Sequence, residues 1–198
     1  MNKASINSVI IISHTNYIIK NDGTERVIKS VKKGFNEKNI KVINIFALDK
    51  FENYFGLNID DSFVGIYEMK SLIKVVNNLA KRGFVFNEVI IEHVKGFNLI
   101  ELSKILKHLN LKIVLCIHDF YFLCNTFDLM KNHIEFCGLN KPSKEKCNSC
   151  HNYKNIFKHV KKVRLFFDNI SNLIERVVFP SEFSMNEWLV FFPEFNKK

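Results

Sequence analysis

Short runs of apolar, β-branched residues recur along the chain and predict buried strands. The first is Ser8–Ser13, a continuous run of the kind found in strands covered on both faces of a sheet. Four later runs have the same character: Lys41–Phe46, Glu88–His93, Lys112–Ile117 and the shorter Arg176–Phe179. Ala47–Val64 shows no clear period, and we expect a long loop there with a short strand or turn.

Helical patterns separate these strands. Apolar residues three and four positions apart predict amphipathic helices, which cover Thr24–Gly34, Glu68–Arg82, Asn98–Leu109, Asn155–Ile174 (one long helix or two) and Glu182–Phe191. Strands that alternate with helices form α/β folds, and their crossovers are right-handed. The sequence therefore predicts a single Rossmann-like open parallel sheet with helices on both faces. No repeat or flexible linker divides the 198 residues, which we interpret as one domain.

Composition excludes several classes of protein. With 47% hydrophobic and 25% charged residues, the chain has an ordinary globular composition and not a disordered one. No apolar run approaches the roughly 18 residues that a membrane span requires. The N-terminus is too weakly charged and too briefly apolar for a signal peptide, so we expect a cytoplasmic protein.

Charge is concentrated in one block. The net charge is +9, and eight cations lie between Lys141 and Arg164 against a single acid, Glu145. Such a block favours an anionic partner, which could be phosphate, nucleic acid or an anionic membrane surface. The alternative is a solvated lysine-rich surface with no partner.

Five cysteines divide into two groups. Cys116 lies inside an apolar run and is expected to be a buried core thiol. The other four lie between the fourth strand and the long helix, in a segment at about 120–153 that interrupts the alternation: Cys124, Cys137, Cys147 and Cys150. The last two have the C-x-x-C spacing that allows two thiolates to share one metal ion. The sequence leaves three states open: a structural Zn²⁺ site in which His133 or His151 could replace one thiol, disulfides, or free thiols.

Chemistry-bearing residues lie at the predicted carboxyl ends of the strands, where ligands bind in open α/β sheets. The first strand is followed by His14, the third ends in Glu92 and His93, and the fourth is followed by His118 and Asp119. Histidines on two such strand ends indicate a shared site, whereas a structural role explains each of them taken alone.

The start of the first helix is a second candidate. Gly23–Arg26 fits an anion site, because glycine lets the backbone approach a phosphate and the N–H groups of the first turn are free to bind it. An ordinary capped helix is the alternative reading of the same residues.

Three sequence elements resemble the GT-B glycosyltransferases of family four. Asp22–Val27 (DGTERV) resembles their GG-x-E-R element at the start of the first helix, and Ile117–Cys124 (IHDFYFLC) resembles their HD-x-x-x-L-C stretch. Val178–Phe183 (VFPSEF) resembles the pSe element that closes the N-terminal domain. The later cysteines are similar to those of a subset with a cysteine-containing insertion. The elements occur in the same order as in the family, and the resemblance covers nearly the whole chain.

The resemblance implies both a fold and an activity. It implies the acceptor-binding half of a GT-B fold, in which two Rossmann-like domains enclose the active site. The enzyme would transfer a sugar from a nucleotide-sugar donor to a glycan or lipid-linked acceptor, in the synthesis of cell-surface polysaccharide and with no cofactor for its chemistry. The donor-binding C-terminal domain would begin just after Phe195 and is absent from these residues, so this chain alone is expected to be inactive.

The resemblance also implies the site residues. His118 matches the active-site histidine of the family, with Asp119 beside it as a second catalytic candidate, and Gly23 and Thr24 would lie near the donor diphosphate. Further candidates for binding donor or acceptor are Glu25, Arg26, His93, Ser181 and Glu182. Asp22 stands where the family usually has glycine, so the backbone is not expected to approach the diphosphate closely there.

Two other function classes stay open. One is a zinc-stapled basic module that contacts nucleic acid or an anionic membrane, and the other is a flavodoxin-like or phosphatase-type enzyme, for which no nucleophile motif is evident. The cations are mostly lysine and the distinctive residues lie on strand ends, so nucleic acid is the less favoured partner. The favoured hypothesis is the glycosyltransferase half, in a cytoplasmic protein for which peripheral contact with the inner face of the membrane stays open.

Overall fold

A seven-stranded sheet forms the centre of the protein. The computed structural model describes residues 5–137, 143–151 and 153–198. Its strands are β1 (Ile6–Ser13), β2 (Lys41–Ala47), β3 (Tyr54–Ile59), β4 (Ser62–Glu68), β5 (Phe84–Ile91), β6 (Lys112–Cys116), β7 (Met130–Lys131), β8 (Glu135–Phe136) and β9 (Ile174–Val178). The central sheet has the order β4-β3-β2-β1-β5-β6-β9, and β7 and β8 form a separate hairpin.

Five strands of the central sheet are parallel. β1 pairs with β2 on one side and β5 on the other, and β6 and β9 extend the same parallel ladder. Ile10, Ile11 and Ile12 in β1 are at most 1% exposed, as expected of a strand covered on both faces. The predicted α/β class and Rossmann-like open sheet are therefore confirmed.

The edge of the sheet beyond β2 differs from the prediction. The segment expected to be mainly loop forms the antiparallel hairpin β3–β4, so the sheet is not wholly parallel. Its turn is made by Asp60 and Asp61, with Asp60 at φ +49°, and lacks the glycine that marks most tight hairpins. Phe63 and Ile66 on the outer strand are exposed, which removes the alternation by which a half-buried strand is recognised.

Helices cover both faces of the sheet. They are α1 (Gly23–Glu37), α2 (Leu72–Lys81), α3 (Leu99–Leu109), α4 (Lys144–Cys147), α5 (Tyr153–Ile170) and α6 (Glu182–Phe191), with short 3₁₀ turns at Met69–Ser71 and Pro193–Phe195. α1 packs through Ile28 against one face, where it meets Val9 and Ile11. α2, α3, α5 and α6 contribute to the larger core on the other face, which holds Ile10 and Ile12. Successive side chains of β1 point to opposite faces of the sheet, so this strand contributes to both cores.

Local signals in the sequence begin and end several helices. The Asn98 side chain accepts the Glu101 N–H at the start of α3, and Asn110 ends that helix in the left-handed conformation at φ +52°. Gly83, at φ +102°, follows the end of α2 as its sequence predicts. None of the helices among the described residues has both the length and the apolar character that crossing a bilayer would require.

The topology creates a crevice at one edge of the sheet. From β1 the chain crosses to β2 on one side, and it returns after the hairpin to β5 on the other side. The carboxyl ends of β1 and β5 therefore lie at the switch point of the sheet, where open α/β folds bind ligands.

Candidate active site at the carboxyl edge of the sheet

Histidines from three neighbouring strands lie at this edge. His14 follows β1 and His93 follows β5, and the centroids of their rings are 4.6 Å apart. His118 and Asp119 follow β6, the next strand of the ladder. Residues separated by about a hundred positions in sequence are thus brought to one site by the parallel order of the strands.

His93 and Asp119 form the first imidazole–carboxylate pair. His93 Nε2 lies 3.0 Å from Asp119 Oδ2, and His93 Nδ1 accepts the Lys95 N–H at 3.0 Å. The acceptor role of Nδ1 assigns the proton of the neutral ring to Nε2, which donates it to Asp119. Asp119 Oδ1 accepts the Tyr121 N–H at 2.8 Å, so both carboxylate oxygens are occupied. Asp119 is therefore placed to orient His93 and is not directed at a substrate.

The same contacts keep Asp119 ionised. Burial by itself favours the neutral acid, yet the hydrogen bonds from His93 and from the Tyr121 N–H together hold the pKa of Asp119 below its ordinary value. A carboxylate with two donors is the stable form at neutral pH.

His118 and Glu92 form the second pair. His118 Nε2 lies 2.6 Å from Glu92 Oε2, and the Glu92 side chain has no exposed surface. The His118 side chain is 20% exposed, and among the described residues its Nδ1 has no hydrogen-bond partner. His118 is thus anchored on one side by a buried carboxylate and keeps its second nitrogen for a ligand.

A third pair lies under the start of α1. Glu25 is fully buried, accepts a hydrogen bond from the Thr15 hydroxyl, and lies 3.8 Å from His14 Nε2. Burial favours the neutral acid, but the Thr15 hydroxyl and the Glu25 backbone N–H hold the pKa of Glu25 below its ordinary value. Burial, together with the nearby His93 ring, lowers the pKa of His14 from 6.5 to about 4. His14 is consequently neutral at physiological pH.

Tyr121 and His159 form the floor of the site. The Tyr121 ring centroid lies 5.1 Å from that of His93 and 4.8 Å from that of His159. His159 Nε2 lies 2.6 Å from the Tyr121 carbonyl oxygen, to which it donates. Burial lowers the pKa of His159 and raises that of Tyr121 to about 12, so both side chains are neutral. Sequence reasoning missed His159, whose one signal is a polar residue on the buried stripe of α5.

The other predicted site residues lie apart from this cluster. Gly23 is exposed at the start of α1, and a Cβ placed there would have no atom within 4 Å. Arg26 is exposed and donates from Nε to the Asn21 carbonyl oxygen, while Thr24 is half-buried. Ser181 accepts the Ser184 N–H and caps α6, and Glu182 is exposed in the first turn of that helix. Among the described residues, no hydrogen bond or ion pair joins any of them to the histidines.

A groove opens beside His118. It has a volume of about 410 Å³ and lies on the α1 face of the sheet, between that helix and β9. Its lining is mainly apolar, with Val31, Ile90 and Val178 among its side chains, and His118 and Glu92 also belong to it. Ligand sites commonly combine such a volume with a few convergent polar groups.

The cysteines are placed as follows. Cys116 lies in β6 and is only half-buried, because it borders the groove, so the prediction of a fully buried thiol is wrong. Burial and the charge of Glu92 raise the pKa of this thiol. None of the five is in a disulfide bond. Within residues 5–137, 143–151 and 153–198, no three Cys, His, Asp or Glu side chains are grouped closely enough, as placed, to hold a metal ion.

Comparison with known proteins assigns no family. No family model matches the sequence, and no curated protein matches it.

Proposed function

We propose that this chain is the acceptor-binding, Rossmann-like domain of a glycosyltransferase. It works with a second, donor-binding domain and transfers a sugar from a nucleotide-sugar donor to a glycan or lipid-linked acceptor, as in the synthesis of cell-surface polysaccharide. The observation that carries the proposal is the environment of His118. The buried carboxylate of Glu92 anchors this ring at a strand end. Its Nδ1 has no hydrogen-bond partner among the described residues, and a groove lies beside it.

The Glu92–His118 pair suits a hydroxyl-rich substrate. Glu92 accepts the Nε2 proton of the neutral ring, which leaves the lone pair of Nδ1 to accept a hydrogen bond from a sugar hydroxyl. Because Glu92 is buried and holds the ring in one orientation, little conformational freedom is lost when a sugar binds. His118 is the candidate catalytic residue, and Asp119 orients the His93 ring beside it.

The start of α1 suits the leaving diphosphate. The first N–H groups of the helix carry partial positive charge, and the open space around Gly23 allows an anionic group to approach the backbone. Glu25 faces inward toward Thr15 and His14, so its charge supports the histidine cluster and does not meet the phosphate. Stabilising developing negative charge at a leaving group is a principal source of rate enhancement in such transfers.

A lipid-linked acceptor is supported by the surface of α5. Lys158 and Lys161 are exposed, and the apolar side chains of Phe157 and Leu165 are 37% and 43% exposed on the same helix. Lysines beside exposed apolar side chains favour the surface of an anionic membrane. Lys141, at the start of the basic block, lies outside the described residues. The proposal therefore places the protein at the inner face of the membrane.

Sugar transfer tests the proposal. The chain is assayed together with its donor-binding domain, on one polypeptide or two, with a panel of labelled nucleotide sugars and with glycan and lipid-linked acceptors. We expect His118→Ala to reduce transfer by about 100-fold or more, as loss of a group that stabilises the transition state typically does. His108→Ala is the matched control, because His108 is exposed on α3, near the opposite end of β6.

Two results would contradict the proposal. Wild-type turnover in His118→Ala would remove that residue from the site. Robust transfer by this chain alone would show that it is not the acceptor-binding half of a two-domain enzyme.

A further inference from the structure

From Met130 to His151, the described residues of the segment at about 120–153 have little regular structure to hold them in place. Within its described residues, β7 and β8 have two residues each and α4 has four. A two-stranded hairpin and a single helical turn are not stable alone in water. Residues 138–142 and 152 of the segment lie outside the described residues. Phe122, Leu123 and Leu129 hold the start of the segment in the large core, whereas a further interaction would stabilise the part that follows.

The fold brings the cysteines of this segment to a common neighbourhood. Cys124 is buried in the large core, and Cys147 packs against the same core from α4. The Cys137 N–H donates to the Leu129 carbonyl oxygen at 2.7 Å, which fixes Cys137 just after the β7–β8 hairpin. Three separate stretches of chain thus each deliver a cysteine to this region.

Asn132 links the β7–β8 hairpin to the C-x-x-C turn through hydrogen bonds. Its Nδ2 donates to the Ser149 carbonyl oxygen at 3.0 Å, and its Oδ1 accepts the His151 N–H at 2.8 Å. Within the turn, the Cys150 N–H donates to the Cys147 carbonyl oxygen at 2.9 Å. A tight turn between two cysteines at this spacing lets both thiolates bind one metal ion.

We propose that Cys124, Cys137, Cys147 and Cys150 form a structural Zn²⁺ site. Each thiol loses its proton to solvent when it binds the metal, so no oxidant or reductant is involved. The four side chains must turn toward a common centre, because as placed no three of the described ligand types converge on one point. Four thiolates complete a tetrahedral site with no open position, which makes the metal structural and not catalytic.

The proposed metal has a consequence for the carboxyl edge. Cys124 is three residues after Tyr121, and the Cys124 N–H donates to the Phe120 carbonyl oxygen at 2.9 Å within the same turn. Fixing Cys124 therefore fixes the backbone that presents Tyr121 to His93. The zinc site would hold the floor of the histidine cluster without contacting a substrate.

Metal analysis of the protein purified without chelator tests the inference. We expect about one equivalent of zinc per chain, falling to a small fraction in Cys137→Ser, which changes an exposed residue and leaves the core intact. Cys116→Ser is the matched control and should retain the metal, because Cys116 lies in β6.

Cobalt substitution identifies the ligands. Four thiolates around Co²⁺ give intense sulfur-to-metal charge-transfer bands and the visible bands of a tetrahedral ion. His133 and His151 have ring centroids 4.7 Å apart and are the competing ligands. We expect the spectrum to be unchanged in His133→Asn and His151→Gln. Spectral changes in these variants, with none in Cys137→Ser, would overturn the four-thiolate assignment.

Two further readouts complete the test. Removal of the metal by a chelator should shift the NMR signals of the His93 ring while the far-ultraviolet circular dichroism of the sheet stays the same. Zinc below about a tenth of an equivalent in the wild-type protein, with Cys137, Cys147 and Cys150 reacting freely, would overturn the proposal. These results do not depend on sugar transfer, so either proposal can fail without the other.

Discussion

His93 donates from Nε2 to Asp119 Oδ2 at 3.0 Å, while the backbone N–H of Lys95 occupies its other nitrogen. Neither ring nitrogen of His93 is left for a substrate, although this histidine lies at the switch point of the sheet. His14 Nδ1 also lacks a partner but is buried. His118, whose side chain is 20% exposed, keeps Nδ1 without a hydrogen-bond partner among the described residues, and the His93–Asp119 pair is the framework beside it.

Asp119→Asn tests this framework. Asp119 accepts two hydrogen bonds, from His93 and from the Tyr121 N–H, whereas an asparagine has one acceptor oxygen and would turn its NH₂ group toward one of the donors. The Lys95 N–H prevents His93 from relieving this conflict by changing tautomer. We expect the free energy of unfolding to fall by about 1–3 kcal/mol, measured by chemical denaturation.

The pH dependence of that variant gives a second readout. Since the pKa of Asp119 is lowered in the folded protein, its stabilisation is present above the ordinary value of 3.8 and is lost as the pH falls through the folded pKa. Asp119→Asn should lack this acid-dependent loss. Asp168→Asn, at an exposed position of α5, should behave like the wild type. Equal stability of the wild-type and Asp119→Asn proteins at every pH would contradict the pairing.

His14 predicts a separate loss of stability in acid. Its pKa is lowered from 6.5 to about 4, so between these values the unfolded chain binds a proton that the folded protein does not. Stability is therefore complete above pH 6.5 and decreases as the pH falls toward 4, by at most about 3 kcal/mol and by less where solvent screens the group. Over this pH range, the free energy of unfolding measured by chemical denaturation should depend less on pH in His14→Gln than in the wild type. An unchanged pH dependence in that variant would exclude His14 as the cause.

Gly56 tests the packing of the unpredicted hairpin. A Cβ at this position in β3 would overlap the ring of Phe46 on β2, whereas a Cβ at Gly34, exposed on α1, meets no atom within 4 Å. We expect Gly56→Ala to destabilise the protein by about 1–3 kcal/mol. Gly34→Ala should stabilise it by roughly 0.5–1 kcal/mol, because alanine is favoured over glycine within a helix.

A double-mutant cycle identifies the cause of the Gly56 effect. Phe46→Leu removes the ring that a Cβ at position 56 would meet. It should therefore reduce the loss of stability caused by Gly56→Ala, since the two residues are in contact. Additive effects of the two substitutions would show that the hairpin does not pack on Phe46 as described.

The lysines of α5 predict membrane binding. Lys158 and Lys161 are exposed beside Leu165, and each lysine contributes about 1 kcal/mol near an anionic surface. In vesicle flotation, the protein should prefer phosphatidylserine-containing vesicles to neutral ones. Lys158→Gln with Lys161→Gln should weaken that preference, and Lys104→Gln with Lys107→Gln on α3 should leave it unchanged. Equal flotation with both kinds of vesicle would contradict this prediction and would indicate a solvated lysine-rich surface with no membrane partner.

The sequence predicts the elements whose signals are local. The isoleucines of β1, the glycine after α2 and the bounds of α6 (Glu182–Phe191) are all readable from short stretches. The β3–β4 hairpin is not, because its Asp60–Asp61 turn lacks glycine and its outer strand exposes Phe63 and Ile66. Edge strands with apolar side chains on exposed positions do not show the alternation of a half-buried strand.

The candidate site is predictable only in part, because the contacts within it depend on how distant parts of the chain pack together. His93 and His118 are recognisable because they follow buried strands, and parallel strands end at the same edge of a sheet. The partners within each pair are set by ring orientation and backbone contacts, such as the Lys95 N–H that assigns the tautomer of His93. His159 reaches the site from α5, and only the packing of that helix on Tyr121 shows that it belongs there.

Binding of carbohydrate by the isolated chain tests the central claim most directly. Purified wild-type, His118→Ala and His108→Ala proteins are applied to a glycan array, and the best glycan is titrated by calorimetry. The account predicts that the wild type and His108→Ala bind the same glycan and that His118→Ala binds it about 10-fold more weakly, as expected for one lost hydrogen bond to a polar group. Equal affinity of His118→Ala and the wild type, or no glycan bound by any of the three, would contradict it.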